Sequence, residues 1–115
     1  MFEELKNWEM LSQVWFVHDY VQLQFHDDHT LNVYNPFSVA KEEFSYKQGQ
    51  LGYADALVNI IGSKIIEVNY QQFSNFSLTF SCGSIFEINL SKGVVNFPEA
   101  FELGLSNGPH IEFNT

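Results

Sequence analysis

Four histidines, one cysteine and a few adjacent carboxylates are the side chains of this chain that could do chemistry. The run His26-Asp27-Asp28-His29 sets two imidazoles beside two carboxylates, the donor types that hold a divalent metal. Aspartate also forms turns on its own account, by bonding to nearby backbone. Between two alternating apolar segments, the turn rather than a metal sets where these side chains point, so the run reads as a turn and no metal is expected. His18-Asp19 with a distant Ser or Cys would make a hydrolase triad. However, no serine sits in a glycine-flanked elbow, and Cys82 reads as a small buried hydrophobe on the apolar face of its strand. Gly49, Gly52 and Gly62 do not form a phosphate loop, because no strand–glycine–helix order fits them. Asp27-Asp28 and Glu42-Glu43 are sequence neighbours whose side chains diverge in an extended segment, so neither reads as an acid/base pair. These patterns predict a protein that is not an enzyme and takes no cofactor.

The charge is more informative. Fourteen acids face five cations, giving −9, and the five are all lysine. Arginine is the usual bidentate ligand of phosphate and of guanine edges, and nucleic-acid binding needs a cationic face. Nucleic acid and anionic membrane are therefore poor partners, whereas a cationic protein would be steered toward this chain. A single cysteine excludes an internal disulfide and suits a reducing compartment. Met-Phe-Glu-Glu-Leu-Lys lacks the apolar stretch of a signal peptide, and no apolar run approaches the roughly 20 residues of a membrane span. The expected location is the cytoplasm.

One domain is expected over residues 1–115, with an aromatic share of 17% to fill its core. Phe2, Leu5, Trp8 and Leu11 have the spacing of a short N-terminal helix. Residues 13–35 read as a three-stranded meander. Its first strand (Val14, Trp15, Phe16, Val17) is apolar on both faces and so expected to be covered on both, at least in part. The second carries Val21, Leu23 and Phe25, and the third Leu31 and Val33, ended by Asn35-Pro36. Residues 36–50 read as a long polar loop. Residues 51–61 read as a three-turn helix with a stripe of Tyr53, Ala54, Leu57, Val58, Ile60 and Ile61, closed by Gly62. A second meander follows over 64–91. It starts with Ile66 and Val68, or with Ile65 inward and Glu67 outward. Its hairpin, Leu78 to Leu90, turns at Cys82-Gly83-Ser84. In the segment 92–115, Lys92-Gly93 turns the chain. Asn96 with Glu99 could cap a short helix, but the alternation of Phe101, Leu103 and Leu105 favours a strand. Ser106 to Pro109 break the chain, and Ile111 and Phe113 read as an edge strand or a tail.

Phe25 to Leu31 and Phe80 to Phe86 are the same six-residue step in two hairpins. The expectation is an α+β fold in which two duplicated three-stranded meanders form one antiparallel sheet or a small open barrel. The central helix packs on it.

Acids and aromatics meet in the long loop, where Glu42 and Glu43 stand beside Phe44 and Tyr46. Aromatic anchors ringed by charge make a protein-binding patch, although the same aromatics could instead fold under the loop and cap the core. The size, the acidity, the strand from Asp19-Tyr20-Val21-Gln22-Leu23-Gln24-Phe25, and Tyr34-Asn35-Pro36 and Pro98-Glu99-Ala100 after the two hairpins together resemble the small immunity proteins of bacterial toxin–immunity pairs. That group includes the proteins of contact-dependent growth inhibition. The resemblance implies a cytosolic, non-enzymatic protein that binds one cognate toxin domain, often a cationic nuclease, and blocks it. The residues expected to meet that toxin are Asp27, Asp28, Glu42 and Glu43, with Phe44 and Tyr46 as desolvated contacts. The alternative is a small-molecule-binding or homo-oligomeric β-rich module whose meanders line a cavity.

Overall fold

A computed structural model describes residues 2–18, 20–91, 99–106 and 110–113, with His110 and Glu112 as backbone alone. The chain forms a small α+β fold of two antiparallel five-stranded sheets. It opens on a 3₁₀ helix (Phe2–Asn7), then β1 (Leu11–Phe16), β2 (Val21–Phe25), β3 (Thr30–Val33), β4 (Phe37–Lys41) and β5 (Phe44–Lys47). A short helix α1 (Tyr53–Val58) follows, then β6 (Ile65–Gln71), β7 (Asn75–Phe80), β8 (Ile85–Asn89), β9 (Phe101–Gly104) and β10 (His110–Phe113). The sheets run β1-β2-β3-β9-β10 and β5-β4-β8-β7-β6. Neither is a closed barrel.

The order contains an exchange. β1–β3 and β6–β8 are each a consecutive antiparallel run, and each is continued by a hairpin from the other half of the chain. β9 pairs with β3 (Phe101 opposite Val33), and β4 pairs with β8 (Phe37 opposite Ile88). The backbone bonds at the two crossings match: Tyr34 N–H donates to Ala100 C=O, and Asn89 N–H to Pro36 C=O, both at 2.9 Å. Buried Asn35 ties the crossings together by donating its Nδ2–H to Asn89 C=O at 2.8 Å.

Alternating apolar residues build the core between the sheets. Val21, Leu23 and Phe25 of β2 and Leu31 and Val33 of β3 face Phe76, Leu78 and Phe80 of β7 and Phe86 and Ile88 of β8, all buried. Phe101 stacks on Phe76 and on Phe113, each at 4.7 Å between centroids. Phe2 of the 3₁₀ helix closes one side against Tyr70 and Phe76.

The structure corrects several expectations. Residues 36–50 are not an irregular loop, because Phe37 and Val39 alternate inward and β4 and β5 form a hairpin there. The helix is six residues long, not three turns. Leu57 and Ile60 are buried while Leu51, Val58 and Ile61 are exposed, so only part of the stripe is core. β1 is an edge strand whose second face is not covered, and Trp15 and Phe16 stand half exposed. Cys82 is not on a strand, since β7 ends at Phe80 and the cysteine lies in the turn, packed partly on the core. Phe101–Gly104 is a strand, and residues 110–113 pair with it as an edge strand. Asp19, the Lys92-Gly93 turn, the Asn96 cap with Phe97 and Pro98, and residues 107–109 lie outside the described residues.

Candidate functional site

The β4–β5 hairpin and α1 enclose a cleft of about 280 Å³, lined by Lys41, Glu42, Phe44, Tyr46, Asp55, Asn59 and Ser84. Local sequence builds it. Lys41 pairs with Phe44, which leaves Glu42-Glu43 as a two-residue turn with Glu42 at φ 57°. A non-glycine residue in this left-handed region is strained by roughly 1 kcal/mol, and such strain clusters at working surfaces. After β5, Gln50 Oε1 accepts the Lys47 N–H at 2.8 Å and folds the chain back. Gly52 then enters α1 at φ 96°, where an added Cβ would stand 2.9 Å from Tyr46 Cε1. The tyrosine ring therefore lies against the bare glycine backbone, held between hairpin and helix.

Two acids, Glu42 and Asp55, and one lysine, Lys41, line this cleft. Phe44 is 63% exposed on an edge strand, an apolar surface open among the described residues. Carboxylates beside aromatic faces suit a Lys or Arg side chain from outside, through ion pairing and attraction to the ring.

The six residues singled out from sequence divide. Glu42, Phe44 and Tyr46 line the cleft, and Glu43 stands beside Glu42 at the tip without lining it. Asp27 and Asp28 lie in the β2–β3 turn, outside the cleft. Asp27 Oδ2 accepts the Glu9 N–H at 3.0 Å and stands 3.6 Å from His29 Nε2. His29 stacks on Trp8 at 4.7 Å and accepts the Ser106 N–H on Nδ1 at 3.0 Å. The ring and one acid of the former metal candidate thus serve as clamps within the fold. Among the described residues, no three His, Cys, Asp or Glu side chains are placed to share a metal.

Three perturbed groups lie outside the lining, one of them the fully exposed Glu3, held low by its hydrogen bond to Lys6. Burial raises the Cys82 thiol, but hydrogen bonds from Ser63 and Ser84 and the Lys41 charge outweigh it, so the thiol sits below its ordinary value. Burial, then the charges of Glu102 and Glu99, push the Tyr34 phenol up to about 12. A second groove, of about 610 Å³, runs over the outer face of the β4–β8 pair. There Ser38, Lys47, Asn75, Glu87 and Asn89 point away from the core. Sequence reasoning missed Asp55, Asn59 and Ser84 as cleft residues. Asp55 sits on the polar side of the helical stripe, the one signal that marked it as accessible.

No protein-family model matches this chain, and comparison with curated proteins and with solved structures gives no match. Among the described residues no helix is long and apolar enough to cross a membrane.

Proposed function

We propose that this protein binds and neutralises a cationic partner protein, as an immunity protein does a toxin domain, and that the cleft between β4–β5 and α1 is the centre of the contact. One observation carries the reading. A −9 chain without arginine gathers Glu42, Asp55, the half-lifted Phe44 and Tyr46 around a single opening. A lysine or arginine of the partner enters between the two carboxylates, and Phe44 supplies desolvated area around it. Glu43, Asp27 and Asp28 contribute field rather than direct contact. The protein does no chemistry of its own in this reading and acts in the cytoplasm.

The same reading treats the chain as two copies of one unit, a three-stranded meander followed by a hairpin, each hairpin lodged in the other copy's sheet. The matched crossings and the shared six-residue step support it. A second reading, binding of a polar small molecule, rests on the outer groove with its amides, hydroxyls, Lys47 and Glu87.

The test is capture on the tagged protein of the product of the adjacent gene, at about 0.15 M and then 1 M salt. A stoichiometric basic protein, toxic when expressed alone and released by high salt, is the expected result. Glu42→Ala with Phe44→Ala should weaken binding by about 2–4 kcal/mol, the usual effect of losing an anchor and its charge. Binding left unchanged by that double variant would remove the cleft from the reading. Capture of no basic protein at either salt, with a ligand copurifying by native mass spectrometry, would favour the outer groove.

A further inference from the structure

Among the described residues β1 is the outermost strand of its sheet and pairs only with β2. Val17 and Tyr20 exchange both of their backbone bonds, which sets the phase of the ladder. Residues 13, 15 and 17 therefore address β2, and Val14 and Phe16 turn their N–H and C=O groups outward. Leu11, beyond the bulge at Ser12, already spends its outward groups on Gly62 and Ser63. The open stretch is 13–17.

Natural sheets blunt such an edge with charge or proline. Residues 10–17 contain neither. The other three edge strands each carry an ionisable residue: Lys47 in β5, Glu67 in β6 and Glu112 in β10. Around β1 the surface is apolar instead. Met10, Trp15, Phe16 and Val17 are 40–51% exposed, as are Val58 and Ile61. The Phe16 ring meets Tyr53 of α1 at 6.0 Å, and the Leu11 bonds hold the loop after α1 against the start of the strand, so Phe16 lies on the helix side of β1 while Trp15 and Val17 stand on its other face.

We infer that a second copy of this chain docks on β1, strand to strand, around a two-fold axis at Trp15. Charge selects the occupant. Two chains of −9 repel wherever acids face each other, and β1 is the edge strand with no charged residue of either sign, β5 carrying Lys47 and β6 and β10 an acid each. A cationic partner gains nothing electrostatic here and is drawn to the acidic cleft. In an antiparallel pairing, Val14 bonds the partner's Phe16 and Phe16 the partner's Val14. Trp15 then lies opposite the partner's Trp15 at a non-hydrogen-bonded position, with Cβ atoms about 4.5–5.5 Å apart. A half-exposed aromatic presents on the order of 100 Å². Two such aromatics and four smaller apolar side chains on each copy expose roughly 1,000 Å² in all, so that full cover of them reaches the lower bound for a specific interface. The two five-stranded sheets become one of ten strands.

Sedimentation equilibrium of the full chain up to about 300 µM, where a contact at this lower bound is expected to populate dimer, tests the inference. A reversible monomer–dimer equilibrium is expected. Salt at about 1 M should strengthen it by screening like charge, opposite to its effect on a cationic partner. Trp15→Lys puts like charges face to face and should weaken the dimer at least tenfold. Phe16→Pro, which removes an N–H that the monomer does not use, should do the same. Both variants are checked for folding by thermal melting. A wild-type chain that stays monomeric to the highest concentration would overturn the inference, and so would a dimer indifferent to both variants. The double variant Glu42→Ala with Phe44→Ala should dimerise normally, which separates this face from the cleft.

Discussion

The β2–β3 and β7–β8 turns use one backbone design with two different sets of side chains. In each, the last inward phenylalanine donates its N–H four residues on: Phe25 to His29 C=O, and Phe80 to Ser84 C=O. In each, the third turn residue is left-handed and donates back to that phenylalanine: Asp28 at φ 69° and Gly83 at φ 95°. Even the bulges match, with one extra residue after Leu11 in β1 and after Ile65 in β6. The second turn residue also reaches back in both, Asp27 to the Glu9 N–H and Cys82 to the Ser63 hydroxyl. What differs is what the side chains are used for. The first turn is clamped by Trp8, Glu9, His29 and Ser106. The second spends a small residue, Ser84, on the wall of the cleft and keeps a thiol within reach of Lys41. Identical backbone thus leaves one turn structural and the other available for surface chemistry.

The most forceful way to test whether the two halves are equivalent is to empty matching core positions. Phe37 and Phe101 open the two exchanged hairpins, opposite Ile88 and Val33. Alanine at either should destabilise by about 3–5 kcal/mol in chemical denaturation. Phe101→Ala should be the larger, because its ring stacks on both Phe76 and Phe113, whereas Phe37 meets Phe86 in a tilted contact at 5.0 Å. Equal losses would mean that the stacks add nothing beyond area.

How much of this was legible in the sequence depends on period. Strands that alternate without interruption, such as Val21-Gln22-Leu23-Gln24-Phe25, could be placed from their letters, as could both hairpin turns. β6 could not be settled, because the bulge breaks the period: Ile65 turns inward, Ile66 is 49% exposed, and Val68 faces in again. β4 was hidden by its setting. Phe37-Ser38-Val39 alternates, but the acids and lysines that follow belong to a turn and made the whole stretch look irregular. The apolar letters of β1 were visible, but their exposure was not, since that depends on β1 lying at a sheet edge. The cleft was half visible: Glu42, Phe44 and Tyr46 were read together, whereas Asp55 and Ser84 join them only through tertiary packing.

Exchanging the left-handed residues measures what the backbone alone contributes to each turn. Asp28→Gly should stabilise by about 0.5–1 kcal/mol, since glycine adopts this conformation without a Cβ penalty. Gly83→Asp should destabilise by about 1 kcal/mol. An added Cβ there meets no atom within 4 Å, so the effect is conformational and not steric. Thermal melts of both variants and of the double exchange check this. A double variant at wild-type stability would show that the two turns are one design. A deficit would mean that the Asp28 carboxylate contributes a bond that glycine cannot replace.

The smallest effect distinguishes the turns chemically. Because Ser63, Ser84 and Lys41 hold the Cys82 thiol below its ordinary value against the opposing effect of burial, more of it is thiolate near neutral pH than in an unfolded chain. Its alkylation by iodoacetamide should therefore follow a pH profile whose midpoint lies below that of the same thiol in denaturant. Ser63→Ala should move the midpoint upward and slow the reaction roughly two- to fivefold at neutral pH, while leaving the high-pH plateau where it was. A slower plateau with an unmoved midpoint would mean that the serine governs access and not charge. The polar bond that the second turn makes to Ser63, just ahead of β6, would then be structural, like the bond between Asp27 and Glu9 in the first.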